Sequence, residues 1–405
     1  MSKRLVPDWI DGFMDYTFNS EPPASFKLWS ALSVLSAALQ RKCYIEWGPI
    51  TFYPNIYAVL VAPSGKARKG TAMSFAEDFV SDLNINLAAE ATTREALCRA
   101  LGETTDNVQI APGELEYHSS LTVFAPELTV FLGYNNPQLM SDLTDWYDCR
   151  KKWVYRTKNQ GTDEIIGVYV TLFGATTPDL IRTALPLDAI GGGLTSRMIF
   201  VFEPNKGKTI PSPFLTDSEM ALRENLKADL ERIHCLKGVF NVSQSFVDLW
   251  TEWYLAQEHN PPFEDHRFSG YIERRPNHAM KLSILCNVSR SDKMIIDGRD
   301  LQRAIDILTY TEQKMQQTFS GVGKSENADI VTRIMTEVAH RKSINLSKLQ
   351  TMFYFDADKR TLDGVVDTLR NMNFLKVIRK GTETELVYLE EETDDKEQET
   401  PKASL

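Results

Sequence analysis

The sequence has no long apolar run, no cysteine pair in CxxC spacing and no internal repeat. Cys43, Cys98, Cys149, Cys235 and Cys286 stand singly and are odd in number. That excludes a disulfide framework and argues against a zinc cluster; free thiols in a reducing compartment fit. The six histidines form no metal or nucleophile constellation. The most apolar helical stretch, 26–39, is interrupted by Lys27 and several serines. It is too short and too polar to span a bilayer, so it reads as a packed helix, and no membrane partner is expected. The opening MSKRLVPDWIDGF lacks the apolar core of a secretory signal, which leads to a cytoplasmic expectation.

Charge of one sign is scarce except at one end. Lys and Arg number 45, Asp and Glu 55, a formal net charge of −10. The stretch 390–405 holds seven acids and two lysines, so half of that excess belongs to an acidic tail expected to be disordered. The rest is only mildly acidic, which neither demands nor excludes a nucleic-acid partner. Hydrophobic residues at 42% and aromatics at 10% suffice for sizeable cores. With 405 residues, two or three domains are expected at roughly 150 residues each.

A helix is predicted over 25–40 after the breaker Pro22-Pro23, then strands over 43–47 and 56–61. Helices follow at 71–83 and 93–101, with a short strand at 84–88 between them. An apolar strand at 121–125 ends at Pro126-Glu127, and 137–148 is helical. The segments 153–155 and 164–166 suggest a hairpin around Asn159-Gln160-Gly161. A buried strand at 168–173 leads through GATTP into a helix ending at Ala184, and another strand runs over 198–202. Apolar strands alternating with helices indicate an α/β domain with a mostly parallel sheet. From about Pro213 the pattern turns helical, at 218–234, 243–257, 276–288 and 299–319. After a polar linker, 320–327, three short helices (328–340, 347–353, 358–372) precede strands at 374–379 and 383–389. That order matches a winged-helix module.

The most informative stretch is the apolar run Ile56–Val61 followed by APSGKARKGT. A nucleotide phosphate needs backbone N–H groups curled around it, a helix N-terminus behind it and a lysine on its outer oxygens. Ser64, Gly65, Lys66, Arg68, Lys69, Gly70 and Thr71 supply those parts. The match to G-x-x-x-x-G-K-[ST] is imperfect. Ala62 or Pro63 stands at the first glycine, Arg68 at the second, and Gly70 where a hydroxyl should bind magnesium. Thr71 is the nearest hydroxyl and the candidate metal ligand. Lys69 is the candidate phosphate lysine, with Lys66 and Arg68 as rivals. The plain alternative is an exposed basic turn.

Later features follow in an order suited to ATP hydrolysis. Glu127 ends the second apolar strand, the place for a water-activating carboxylate. Thr176 and Thr177 end the next strand, in reach of a γ-phosphate or the attacking water. Arg197 stands just before a fourth strand, where it would serve a neighbouring subunit's nucleotide. Each also has a structural reading: Glu127 or the threonines as helix caps, Arg197 as a surface residue beside a strand.

Taken together, YPNIYAVLVAPSG at 53–65, LFGATTP at 172–178 and GGLTSRMIFV at 192–201 resemble the AAA+ P-loop ATPases, and more closely the P-loop proteins of phages and mobile elements known as a domain of unknown function. The last stretch also resembles the arginine-finger segment of minichromosome maintenance helicases. The resemblance spans about 25–390 and implies ATP and Mg2+ as cofactors, a basic hairpin before the third core strand, a helical lid and a C-terminal winged helix. It further implies that Arg274 or Arg275, just ahead of the helix predicted to open at Pro276, acts as a sensor arginine. A solvated pair is the alternative. Departures are Pro126 in place of the usual aspartate before the catalytic glutamate, a threonine in place of the sensor asparagine, and the altered loop.

DNA contacts are expected at two places. The run 150–161 has five cations, two aromatics and no acid. Lys151, Lys152, Arg156 and Lys158 would follow phosphates, and Tyr155 or Trp153 would stack on bases, unless Trp153 packs inward. In the winged helix, Lys359, Arg360 and Arg370, with Arg379 and Lys380 at the wing, are the candidates. The charge there is nearly balanced, so protein docking competes with DNA reading.

The expected organisation is a helical segment at 1–50 packed on the core, a P-loop ATPase core at 51–212, a helical lid at 213–320, a winged helix at 326–389 and the acidic tail. The expected activity is an ATP-driven DNA motor, a ring-forming, hexameric replicative helicase of a phage or mobile element in a bacterial host cell, with a replication partner at the winged helix or tail. A helicase loader or remodeller, or a DNA-binding assembly protein with a degenerate nucleotide site, are the alternatives.

Overall fold

Alternating apolar strands and helices assemble, in the computed structural model of the chain, into an α/β fold with mixed sheets and many helices. The structure describes residues 3–389 except 90–91, 112, 134–135, 158–160, 185–190, 320–327, 355–356 and 381–382. The expected linker 320–327 and the acidic tail 390–405 lie outside the described residues, as does Lys158.

The first compact unit is Met1–Val322. It opens with α1 (Trp9–Tyr16), α2 (Ala24–Leu39), β1 (Cys43–Trp47), β2 (Ile50–Phe52) and β3 (Tyr57–Val61). Then come α3 (Lys69–Ser81), α4 (Arg94–Glu103), β4 (Thr105–Ala111), β5 (Glu114–Ala125), α5 (Leu128–Leu132) and α6 (Pro137–Tyr147). The hairpin β6 (Lys152–Thr157) and β7 (Gly161–Ile166) leads to β8 (Val168–Thr176), α7 (Pro178–Ala184) and β9 (Met198–Phe202). The remainder is α8 (Asp217–His234), β10 (Gly238–Val242), α9 (Gln244–His259), α10 (Ser269–Arg290), β11 (Ile295–Ile296) and α11 (Gly298–Met315).

The central sheet has the order β4-β5-β8-β3-β9. β5, β8, β3 and β9 are parallel, and β4 pairs antiparallel with the polar first half of β5. Every residue of β3, β8 and β9 is buried, as a sheet covered on both faces requires. The strand expected at 84–88 reduces to a parallel bridge between Leu87 and Thr122.

Helix α2 lies almost wholly buried, and most of its polar side chains find partners there, Ser33 Oγ being the exception. Ser30 Oγ donates to the Ala72 carbonyl at 2.7 Å, and Ser36 Oγ meets Thr171 Oγ1 at 2.6 Å. Lys27 Nζ donates to the Thr17 carbonyl at 3.2 Å, and burial lowers its pKa to about 8. These partners account for serines and a lysine in a buried helix, because a polar group is tolerated inside when it is hydrogen-bonded. Trp9, Phe13 and Tyr16 of α1 pack their rings on Phe79 of α3.

The segments 1–50, 51–212 and 213–320 lie within one compact unit. β1 pairs in parallel with β10 and antiparallel with β2, while β10 pairs with β11. The N-terminal segment and the helical region thus share a sheet. Asp229 of α8 also accepts the amides of Leu5 and Val6. The helix expected to open at Pro276 begins at Ser269, with Pro276 inside it. Proline removes one helical hydrogen bond. The turns before it are held instead by Tyr271 and Arg275, which both donate to Glu312 of α11.

The second compact unit is Gly323–Leu405. It contains α12 (Ala328–Arg341), β12 (Ser343–Asn345), α13 (Leu346–Met352), α14 (Lys359–Asn371), β13 (Leu375–Lys380) and β14 (Glu383–Tyr388). The antiparallel sheet runs β12-β14-β13 and encloses Ile334, Val338, Leu349, Val365, Leu369 and Leu386 with the helices.

Candidate functional site

At the C-terminal edge of the central sheet, β3 runs into the loop 62–68 and α3. The Ala62 amide donates to the Thr176 carbonyl at 3.4 Å, tying the loop to β8. A turn closes between Pro63 O and Lys66 N at 3.3 Å, with Gly65 at φ +68°. Ser64, Gly65 and Lys66 are exposed. Arg68 takes a left-handed conformation, φ +57° and ψ +41°, immediately before the helix. That is the position where the phosphate-loop pattern carries its second glycine, the residue that adopts positive φ without strain. Its backbone geometry therefore aligns Lys69 with the pattern's lysine.

Lys69 is half-buried, and its Nζ donates to the Ala62 carbonyl at 2.8 Å. Burial lowers its pKa, and the negative charge of Glu127 opposes that shift. Helix α3 has no side-chain N-cap, so among the described residues no side chain caps its first amide groups. Gly70 and Thr71 are exposed in its first turn.

Glu127 is exposed at the end of β5, where it precedes α5. Between it and the loop lies the end of β8. Thr176 is 1% exposed, and its Oγ1 has no hydrogen-bond partner among the described residues. Its neighbour Thr177 accepts the Leu180 amide at 3.3 Å and caps α7. The two threonines thus separate: Thr177 is used by the fold, Thr176 holds a buried, unpaired hydroxyl. The structure brings Lys69, Thr176 and Glu127 to one edge of one sheet.

Arg197 lies at the other edge. It closes a 3-10 turn, Thr195–Arg197, before β9. The register Tyr57↔Met198 and Val61↔Phe202 puts it five residues upstream of the loop end, roughly 16 Å along the strand. It cannot serve the loop of its own chain. Its Nη2 donates to Asp148 at 2.7 Å, and its Nη1 to the Gly193 carbonyl at 3.0 Å. Arg274 approaches the same carboxylate at 3.7 Å. Burial, then the Arg197 charge, pulls the Arg274 pKa down. His278 supports the turn. Its Nδ1 meets Tyr147 Oη at 3.0 Å and its Nε2 the Ser196 carbonyl at 3.3 Å, and burial lowers its pKa to about 3, so the ring is neutral.

Arg274 and Arg275 therefore sit within α10 rather than ahead of it, and neither reaches the phosphate loop. Arg275 is buried, with Nε at 2.6 Å and Nη2 at 2.8 Å from the two oxygens of Glu312. It is a buried ion pair rather than a solvated side chain.

The hairpin rises from the edge that carries Arg197. Gly167, at φ +61°, fixes its base: a Cβ there would meet the Tyr117 carbonyl at 2.4 Å. Trp153 packs against Trp146 with ring centroids 5.5 Å apart, and Tyr155 stacks on Trp153 at 6.0 Å. Arg94 covers the Tyr155 ring at 4.8 Å while pairing with Asp142. Both aromatics are thus engaged in holding the hairpin on α4 and α6, with Trp153 buried, the inward packing given as its alternative, and Tyr155 partly exposed. Lys151 is exposed, and Lys152 pairs with Glu164 at 2.7 Å. Arg156 lies on β6 beyond Tyr155. In the second unit, Lys359, Arg360, Arg370 and Arg379 are exposed, and Lys380 ends β13.

The chain matches no protein-family model and no curated protein sequence.

Two residues of the site are silent in the sequence. Asp148, the partner of Arg197, ends a predicted helix and carries no signal. Glu21 lies beside Pro22-Pro23 and accepts from Arg68 at 2.6 Å. Among the described residues, no group of three His, Cys, Asp or Glu is placed to hold a metal ion, and no helix is long and apolar enough to cross a membrane.

Proposed function

We propose that the first unit is an AAA+-like P-loop ATPase core and the second a winged helix, and that the chain works as an ATP-driven DNA motor in the bacterial cytoplasm. One observation carries this reading. A buried central strand leads to Lys69 at a helix start, at the same edge of the sheet as Glu127 and the unpaired hydroxyl of Thr176. Lys69 and the first amides of α3 bind the outer phosphates of ATP. Glu127 takes the proton of the attacking water, and Thr176 orients that water or the γ-phosphate.

Magnesium bound with a nucleotide needs few protein ligands, because phosphates and water supply most of its shell. The exposed Thr71 hydroxyl fits that demand and would hold the ion, which neutralises phosphate charge.

Arg197 completes the site of a neighbouring copy, because it stands at the opposite edge of its own sheet. A ring of subunits, expected to be a hexamer, provides that contact at every interface. Hairpins on the Arg197 edge then move with the nucleotide state and carry single-stranded DNA. Phage or mobile-element replication is the task that suits such a motor, with the winged helix or the acidic tail left for a replication partner.

A second reading is a DNA-binding assembly protein that holds nucleotide without turnover. The Arg197–Asp148 ion pair favours it, since it engages the finger within its own chain. ATPase measurements with and without single-stranded DNA decide between them. Stimulated turnover supports the motor, and ATP binding without turnover supports the assembly protein.

A further inference from the structure

Arg68 keeps a glycine's backbone conformation while carrying a side chain. Such a residue is strained unless its surroundings hold it. The contact that holds it is distant in sequence. Arg68 Nε donates to Glu21 Oε2 at 2.6 Å. The other oxygen of Glu21 accepts from Lys206 Nζ at 2.7 Å and from the Ile210 amide at 3.3 Å. The Gly207 amide donates to the Glu21 carbonyl at 2.9 Å, and a Cβ on Gly207 would come within 3.1 Å of Pro23 Cα. Pro22 and Pro23 fix the backbone on the far side. Glu21 is thus clamped between the segment after β9 and the start of α2. Its three donors lower its pKa to about 2, so it stays ionised.

We propose that Glu21 is a positioning residue of the phosphate loop. By gripping Arg68 it maintains the left-handed turn that a glycine provides unaided, and so aims Lys69 and the first amides of α3. A carboxylate repels phosphate, so Glu21 acts through Arg68 and not on the nucleotide. The inference rests on the nucleotide-binding reading above.

The test is calorimetric titration of the full chain with ATP and magnesium. Glu21→Gln binds roughly tenfold more weakly than wild type, the scale of one strained backbone conformation. Arg68→Gly binds as tightly as wild type, because glycine needs no grip. Adding Glu21→Gln to Arg68→Gly costs nothing further, a rescue that a general packing role for Glu21 does not predict. Arg68→Ala, lacking both grip and glycine's freedom, binds more weakly than Arg68→Gly. If thermal melting shows Glu21→Gln to be unfolded, Arg68→Ala against wild type decides the matter: weaker binding supports the grip, and binding as tight as wild type overturns the proposal. Glu21→Gln binding like wild type, or failure of the rescue, overturns the proposal. A loss of binding in Arg68→Gly also overturns it and makes Arg68 a phosphate ligand. If the wild-type chain binds no ATP, the nucleotide reading itself falls; if it binds ATP and every variant matches it, only the role of Glu21 falls.

Discussion

The Lys69 ammonium donates to the Ala62 carbonyl at 2.8 Å, so the loop is closed by the cation expected to open it for phosphate. An incoming phosphate exchanges a neutral acceptor for an anionic one, and charge-assisted hydrogen bonds are the stronger kind. Lys69→Ala should abolish detectable ATP binding in calorimetry. Lys66→Ala, which removes an exposed side chain on the turn, should bind within a few-fold of wild type. The opposite result shifts the loop alignment by three residues.

Glu127→Gln should bind ATP normally and hydrolyse none, because an amide cannot accept the water's proton. Arg197→Ala should keep nearly full affinity and lose turnover by roughly 10³-fold or more, the scale of a trans arginine. Asp148 keeps Arg274 as a neighbour in that variant. Mixing the two inactive proteins should restore part of the turnover, since some interfaces then pair an intact glutamate with an intact arginine. Steady-state phosphate release on the mixture is the measurement, and no recovery despite subunit exchange contradicts a shared site.

Reversing Arg156 and Lys158 to glutamate should weaken single-stranded DNA binding, flatten its salt dependence and remove DNA stimulation of the ATPase. Basal hydrolysis should survive. The same reversal at Lys359 and Arg360 is the control. If that variant alone loses the DNA response, the second unit is the DNA-binding element and the motor reading fails. Anisotropy titrations at several salt concentrations make the comparison.

Two buried imidazoles should govern the onset of acid unfolding. Burial lowers His118 to about 4 and His278 to about 3, from an ordinary 6.5. Below 6.5 the unfolded chain takes up protons that the folded chain refuses, so stability falls as pH falls from 6.5 toward 4. A tenfold difference in proton affinity between the folded and unfolded chain is worth ~1.4 kcal/mol, so the two rings together contribute several kcal/mol across that window. Paired Glu21 contributes only lower, between 4.5 and about 2. Melting curves from pH 7 to 4 should show this slope, and His278→Gln should flatten it. An unchanged slope would contradict a neutral buried ring.

Much of the architecture was legible because burial leaves a composition signature. β3, β8 and β9 are uniformly buried, and both strands of the second unit's hairpin were visible on either side of Lys380-Gly381. The loop after β3, Glu127 after β5 and Arg197 before β9 were legible as residue types at strand ends. Other elements left no comparable signal. β4 and the first half of β5 form a polar, partly exposed pair that stabilises itself by pairing rather than by burial. β10 is a short segment whose partner β1 lies far upstream, and the contact that makes it a strand is not local.

Which strands are buried follows from residue order alone, because apolar runs must leave water whatever their neighbours are. Tertiary structure alone decided which charges meet. It paired Arg275 with Glu312, Arg197 with Asp148 and Arg68 with Glu21. It also used Thr177 as a cap while leaving the Thr176 hydroxyl unpaired. Those ion pairs depend on side chains brought together over 37 to 49 positions of sequence, set by how the strands order in the sheet and how α10 and α11 pack. A hydrogen bond acts only within about 3 Å, so no pattern along the chain encodes it before the fold has closed.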